Sequence, residues 1–113
     1  MKIISYGRQS ITAEDIAAVT DVLHSDFLTQ GPKVKEFEDA ICEYTGANYC
    51  VAVSNGTAAL HLAVAAIEIP PGAEGITTPN TFVASANCML YNHLVPRFAD
   101  IDPRPYNIDP AKV

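Results

Sequence analysis

The run Val51-Ala52-Val53-Ser54-Asn55-Gly56-Thr57-Ala58-Ala59-Leu60 holds the residues best placed to do chemistry. It reads as a buried strand that breaks at Asn55-Gly56 and turns directly into a helix. A helix that begins there offers unpaired backbone N–H groups, and the positive end of its dipole, to an anion. Gly56 lets the backbone approach closely, and Ser54 and Thr57 add hydroxyl groups. That combination suits a phosphate. A second strand-to-loop-to-helix transition follows at Thr77-Thr78-Pro79-Asn80-Thr81-Phe82, with an aromatic ring at its tip. A phosphate seat and a flat ring, both at strand ends, suit a planar phosphorylated cofactor.

The elements that must position these residues follow from the apolar spacing. Residues 1–11 read as an extended arm. Thr12 has the character of an N-cap, and Asp15 three positions on completes a capping-box pattern. Ile16, Val19, Val22 and Leu23 then share one helical face, and the helix should stop near Ser25-Asp26. After the loop Leu28-Thr29-Gln30-Gly31, Pro32 stands at a helix start. Val34, Phe37, Ile41 and Tyr44 form the next apolar stripe, and Gly46 closes that helix.

The near-continuous apolar run Tyr49–Ser54 predicts a strand covered on both faces. Thr57–Ile67 is apolar almost all round, as in a helix packed on a sheet and covered from outside. Pro70-Pro71-Gly72 is a turn; a strand over Gly75–Thr78, a helix over Val83–Leu90 and a strand over Leu94–Asp100 follow. Pro96 counts against a central place for the last strand, unless its missing N–H faces no partner. Alternating strands and helices predict parallel pairing with crossovers, an α/β layer fold. Near the C-terminus, Asn107-Ile108-Asp109-Pro110-Ala111 has an acid cap followed by Pro, a helix start with Val113 only a few residues on.

With 113 residues, 49% of them hydrophobic and 18% charged, the chain has the material for a core and lacks the composition of a disordered segment. A formal net charge of -6 with no basic cluster argues against nucleic-acid or membrane-surface partners. Cys42, Cys50 and Cys88 lack metal-type spacing and read as reduced, buried thiols. With no signal-like or membrane-length apolar stretch, the expected location is cytoplasmic.

Taken together, the motifs resemble the N-terminal portion of the DegT/DnrJ/EryC1/StrS family of sugar-nucleotide aminotransferases, over the whole 113 residues. The resemblance rests on Tyr6, Leu28-Thr29-Gln30-Gly31-Pro32, Phe37-Glu38, Asn55-Gly56-Thr57-Ala58-Ala59-Leu60, Thr78–Asn87 and Tyr106-Asn107-Ile108-Asp109, in that order. It implies a type I pyridoxal-phosphate aminotransferase fold, three-layered with a mostly parallel sheet. Residues 1–31 would be the arm, first helix and substrate loop, and 32–113 the first portion of the cofactor-binding large domain. Within the family, Leu28-Thr29-Gln30-Gly31, Cys42-Glu43-Tyr44 and Ile76-Thr77-Thr78-Pro79 look most like the transaminases of the pseudaminic acid pathway. Those act at C4 of a UDP-linked 4-keto-6-deoxy amino sugar, with glutamate as donor.

Carried onto this sequence, the resemblance implies that Gly56, Thr57 and Ala58 bind the phosphate of pyridoxal 5′-phosphate and that Phe82 stacks on its ring. Tyr6, Asp26, Phe27, Leu28, Thr29 and Gly56 would meet the nucleotide sugar, and Asn87 would support the site from behind. It implies a homodimer, and polysaccharide or glycan biosynthesis as the setting. The Schiff-base lysine of such enzymes has no match among Lys2, Lys33, Lys35 and Lys112, nor do Asp100 and Asp102 match the acid that pairs with the pyridine nitrogen. The chain therefore reads as truncated, with no catalytic residue of its own, and unable to transaminate alone. Its uncovered helix Thr57–Ile67 and open sheet edges predict an insoluble or molten product when it is made alone.

Plainer readings stand beside these. Asn55-Gly56 alone is a common turn, and Phe82 alone is a common core residue. His24, His61 and His93 read as structural or surface residues, and Asp100/Asp102 as a strand-terminating turn rather than a metal site. A non-catalytic sugar-nucleotide or cofactor-binding regulatory module, and a deoxy-sugar dehydratase of the same family, share these motifs.

Overall fold

The structure, a computed structural model, describes residues 7–113. The elements run α1 (Ala13–Leu23), α2 (Pro32–Thr45), α3 (Gly56–Ala66), β1 (Glu74–Thr77), α4 (Ala84–Tyr91) and β2 (Val95–Phe98), with a 3-10 turn at Pro110–Lys112. They fall into two compact units, Met1–Ala52 and Val53–Val113.

In the first unit, both predicted helices form. The Asp15 amide donates to Thr12 Oγ1 at 3.3 Å and the Thr12 amide donates to Asp15 Oδ2 at 2.8 Å, the reciprocal capping box read from the sequence. Pro32 sits in the first turn of α2, where its missing N–H costs nothing. Gly46 ends α2 at φ 74°, a left-handed conformation that a side chain would strain, and its amide closes the last turn on Cys42 O at 2.9 Å. Neither helix buries a residue, and Val19, Leu23 and Phe37 are all more than half exposed.

The predicted strand Tyr49–Ser54 does not form. A strand exists through its ladder, and this run pairs with no strand among the described residues; the Ala52 amide instead donates to Glu38 Oε1 at 2.8 Å. Among the described residues the sheet accordingly has two strands, not three.

In the second unit, β1 and β2 pair in parallel, with Glu74 opposite Val95 and Thr77 opposite Phe98. The last strand is shorter than Leu94–Asp100 because the chain turns at Asp100, where an antiparallel bridge joins Ile101 to Ile108. The Val95 amide donates to Ala73 O and the Ala99 amide to Thr77 O, each at 2.9 Å. Since strand amides alternate in direction, that phase turns the nitrogen of Pro96 away from β1, so its missing proton breaks no ladder bond. The small core gathers where α4 meets the sheet: Ala84, Cys88, Leu94 and Ala99 are buried. Of the three cysteines expected to be buried, only Cys88 is; Cys42 and Cys50 are half-buried, because α2 and the segment after it lie under no covering layer within their unit.

α3 packs along α4, and the Asn92 side chain fastens the pair by donating to Cys88 O (2.8 Å) and His61 O (3.1 Å). Tyr91 meets His61 with ring centroids 5.2 Å apart, which gives that histidine a packing role. The expected outer cover of α3 is not present among the described residues: Leu60 is 40%, Leu62 50% and Ile67 66% exposed. An all-round apolar helix tells that a cover is wanted, not that this stretch of chain supplies it.

Candidate functional site

The turn before β1 and the turn before β2 are joined by the Gly72 amide donating to His93 O at 2.8 Å. α3 and α4 therefore finish at the edge where the strands begin, and both helices start toward the edge where the strands end. In parallel α/β layers that carboxyl edge is where ligands bind. The start of α3 at Gly56 and the Phe82 loop belong to this edge of the second unit.

The start of α3 is an incompletely capped helix end. Asn55 is its N-cap: Oδ1 accepts from the Ala58 amide at 2.9 Å, and Asn55 O accepts from the Ala59 amide at 3.1 Å. The amides of Gly56 and Thr57 have no acceptor among the described residues. Gly56 is exposed, and a Cβ placed on it would meet nothing within 4 Å. The first turn carries no acid. Ala58, read from the sequence as a third phosphate donor, already spends its N–H on Asn55, so the free donors are the Gly56 and Thr57 amides and the Thr57 hydroxyl. Asn55 as a cap was legible as a cap-type residue ahead of a strongly apolar helix, a signal hidden by the more familiar Asn-Gly turn.

Phe82 lies just ahead of α4 and is 73% exposed, so it is not the core residue that an isolated phenylalanine usually is. Its loop is held by short-range bonds: the Asn80 amide donates to Thr78 Oγ1 at 3.2 Å, and the Thr81 and Ser85 hydroxyls lie 3.0 Å apart. Beside it, Thr78, Pro79, Thr81, Val83, Ala86 and Phe98 line an apolar recess of about 310 Å³. α4 starts at Ala84 rather than Val83, and the Asn87 amide reaches back to Val83 O at 2.9 Å. Asn87 itself is half-buried on α4.

The other expected ligand residues belong to the first unit. Asp26, Phe27, Leu28 and Thr29 are exposed on the α1–α2 loop, and Ser25 steadies that loop through bonds from its hydroxyl to Val22 O (2.7 Å) and Phe27 O (3.2 Å). Leu28, alone of the four, lines a recess of about 530 Å³ with Ala18, Val19, Asp21, Val22, Leu23 and Lys33. Tyr6 lies outside the described residues.

Asp100 and Asp102 are turn residues. Asp100 Oδ1 accepts from the Ile101 amide at 2.8 Å and Asp102 Oδ1 from the Arg104 amide at 2.9 Å. No group of three or more acids, histidines or cysteines able to hold a metal ion occurs among the described residues. No helix among them is long and apolar enough to cross a membrane.

Residues 9–113 match the model of the DegT/DnrJ/EryC1/StrS aminotransferase family. The chain belongs to that family. Among relatives, it is 44% identical over 110 residues to the spore coat polysaccharide biosynthesis protein SpsC of Bacillus subtilis, covering 97% of this chain and 28% of SpsC. It is 42% identical over 110 residues to the UDP-4-amino-4,6-dideoxy-N-acetyl-beta-L-altrosamine transaminase of Campylobacter jejuni, covering 97% and 29%. Its backbone superposes on the sugar aminotransferase Spr1654 of Streptococcus pneumoniae, solved in its PMP form, with a TM-score of 0.89 at 32% identity. That match covers 96% of this chain and 28% of Spr1654. This family member thus spans less than a third of the relatives it matches. Its fold is the α/β arrangement with a parallel sheet that the family shares.

Proposed function

We propose that this chain is the cofactor-seating part of a longer pyridoxal-phosphate enzyme that moves an amino group onto a keto sugar carried by a nucleotide. The observation that carries the reading is the start of α3: two free amides, a hydroxyl and no acid, in a chain that belongs to an aminotransferase family. These donors fit a phosphate dianion, and the exposed Phe82 ring fits the flat face of a pyridine. When bound, the cofactor supplies the electron sink through which an amino group changes carbon atoms.

The chain's own residues bind and orient. Gly56 and Thr57 hold the phosphate, which fixes the cofactor's position along the strand ends. Phe82 covers one face of the ring and excludes water from it. Asp26, Phe27, Leu28 and Thr29, with Tyr6 and Gly56, are assigned to the nucleotide sugar. The acceptor is assigned as the C4 ketone of a UDP-linked 6-deoxy amino sugar of the pseudaminic acid type, with glutamate as donor. The sugar named in the Campylobacter relative, aminated at C4 and lacking oxygen at C6, supports this choice. The working enzyme is assigned as a cytoplasmic homodimer.

The lysine and the acid that complete the chemistry are assigned to chain outside these residues, and the segment alone is assigned as inactive. The 28% coverage of SpsC and the exposed Leu60, Leu62 and Ile67 of α3 support that view. The test is an absorbance titration of the whole enzyme with pyridoxal 5′-phosphate, followed by glutamate. A band specific to the protein that shifts on adding glutamate is expected, and the 113-residue chain alone should give neither. Binding that is indifferent to the phosphate would overturn the assignment.

A further inference from the structure

Resting on the reading just given, we infer that Gly31 is a positioning residue for the nucleotide sugar: its bare Cα lets Phe27 fold back against it, which fixes the α1–α2 loop in the shape that meets the sugar. A Cβ at position 31 would stand 2.6 Å from Phe27 Cβ and 3.4 Å from Phe27 O. The clashing atom is the root of the Phe27 side chain, so no change of rotamer relieves it and the loop backbone must move. A Cβ at Gly75 would come as close to Met89 Sδ, but that atom is far out on a flexible side chain that can swing aside. Gly7, Gly46, Gly56 and Gly72 have open space around them.

The backbone angles show that this glycine does not serve the turn itself. Gly31 has φ −82°, which any residue adopts, while the left-handed position of the loop is taken by Gln30 at φ 51°. A loop built only to turn would place its glycine at position 30. Here the left-handed conformation falls on a glutamine, and the glycine stands where space is short. A residue held that way persists only where its surroundings fix it. On one side, the Phe27 amide donates to Ser25 Oγ at 3.4 Å, beside the bonds that this hydroxyl makes to Val22 O and Phe27 O. On the other, Gly31 O accepts from the Val34 amide at 3.2 Å, which ties the end of the loop to α2. Leu28, Thr29 and Gln30 thus form the tip of a loop closed at its base by the Phe27–Gly31 contact. A ligand that needs this shape binds in proportion to the fraction of molecules that hold it.

The test compares the whole enzyme with its Gly31→Ala, Gly46→Ala and Phe27→Gly variants and with Gly31→Ala combined with Phe27→Gly. The probes are UDP-N-acetylglucosamine, which carries the nucleotide and an amino sugar but no ketone, and pyridoxamine 5′-phosphate. Each is read by calorimetric titration alongside thermal melting. Gly31→Ala is expected to bind the nucleotide sugar about tenfold more weakly, as when a tenth of the molecules keep the loop shape, and pyridoxamine 5′-phosphate unchanged. Gly46→Ala puts a side chain at φ 74° and weakens α2 from its far end, so it should melt lower and bind both probes like the parent. With Phe27→Gly there is no Cβ to meet, and adding Gly31→Ala should change the sugar affinity by less than about twofold. Unchanged sugar affinity in Gly31→Ala, or a full tenfold further loss on the Phe27→Gly background, would overturn the inference alone. So would an equal loss in Gly46→Ala, because the effect would then be that of a weakened helix. A Gly31→Ala protein that fails to fold or loses pyridoxamine 5′-phosphate as well would also overturn it, since the effect is confined to the loop. A parent that binds pyridoxamine 5′-phosphate but not UDP-N-acetylglucosamine would overturn the substrate reading instead.

Discussion

Two helix starts in this molecule meet the same deficit of hydrogen-bond partners in opposite ways. At α1, Thr12 and Asp15 exchange bonds with each other's amides, and the carboxyl of Glu14 is held below its ordinary range by its own backbone amide and then by the Thr12 side chain. That end is closed by residues of its own sequence. At α3, one neutral side chain satisfies the Ala58 amide, and the Gly56 and Thr57 amides stay free among the described residues. The difference teaches that a helix start can be closed by its own residues or left with free donors. α2 and α4 also start without an acid, so an open start gains a role only from what surrounds it.

Closing the open end should have the largest effect. Ala58→Glu would give α3 the acid at the third position that α1 has at Asp15, allowing a reciprocal bond to the Asn55 amide. The expected outcome is an unchanged or slightly raised melting temperature with cofactor affinity down about tenfold or more, the penalty of one added negative charge. Calorimetric titration with pyridoxamine 5′-phosphate checks it. Retained affinity would break the comparison at its root.

A middle-sized effect is expected at Phe82→Ala. Loss of a stacking face corresponds to about 0.5–1.5 kcal/mol, or roughly two- to twelvefold in affinity. Stability should hardly move, since the side chain is 73% exposed. A drop in melting temperature without a change in affinity would return Phe82 to the core.

Opening the closed end gives the reverse pattern. Thr12→Ala should cost about 1 kcal/mol of stability and leave cofactor binding untouched, as read by denaturant unfolding and the same titration. The smallest effect concerns pH. Glu14 is depressed in the folded state, so its contribution is present above the ordinary carboxylate pKa and is lost as pH falls through the lowered one. Amide exchange in the first turn of α1 should quicken on acidification through that window. The first turn of α3, which carries no acid, should lack this response. Equal acceleration at both ends would show that Glu14 is not its source.

Much of this was legible before any coordinates. The Thr12–Asp15 box, Pro32 at the start of α2 and Gly46 at its end are short-range chemistry, in which a residue's partner lies within four positions; those elements formed as read. The parallel crossover from β1 through α4 to β2 followed from the alternation of apolar runs, and the family motifs pointed to the family that the chain belongs to. The Tyr49–Ser54 run misled for the opposite reason. Its apolar residues declare a need for burial, but a strand requires a neighbour's N–H and C=O groups, and no stretch of sequence guarantees them.

The sequence by itself determined where helices start and stop, the parallel order of the sheet, and the residue types at the start of α3, because each depends on bonds between near neighbours or on periodicity. Only the tertiary structure decided that Asn55 takes the Ala58 amide, that Phe82 stands free of the core, and that Pro96 turns its nitrogen off the ladder. Those outcomes depend on the direction of individual bonds. Direction is set by the packing of segments distant in the chain, which composition and spacing do not encode.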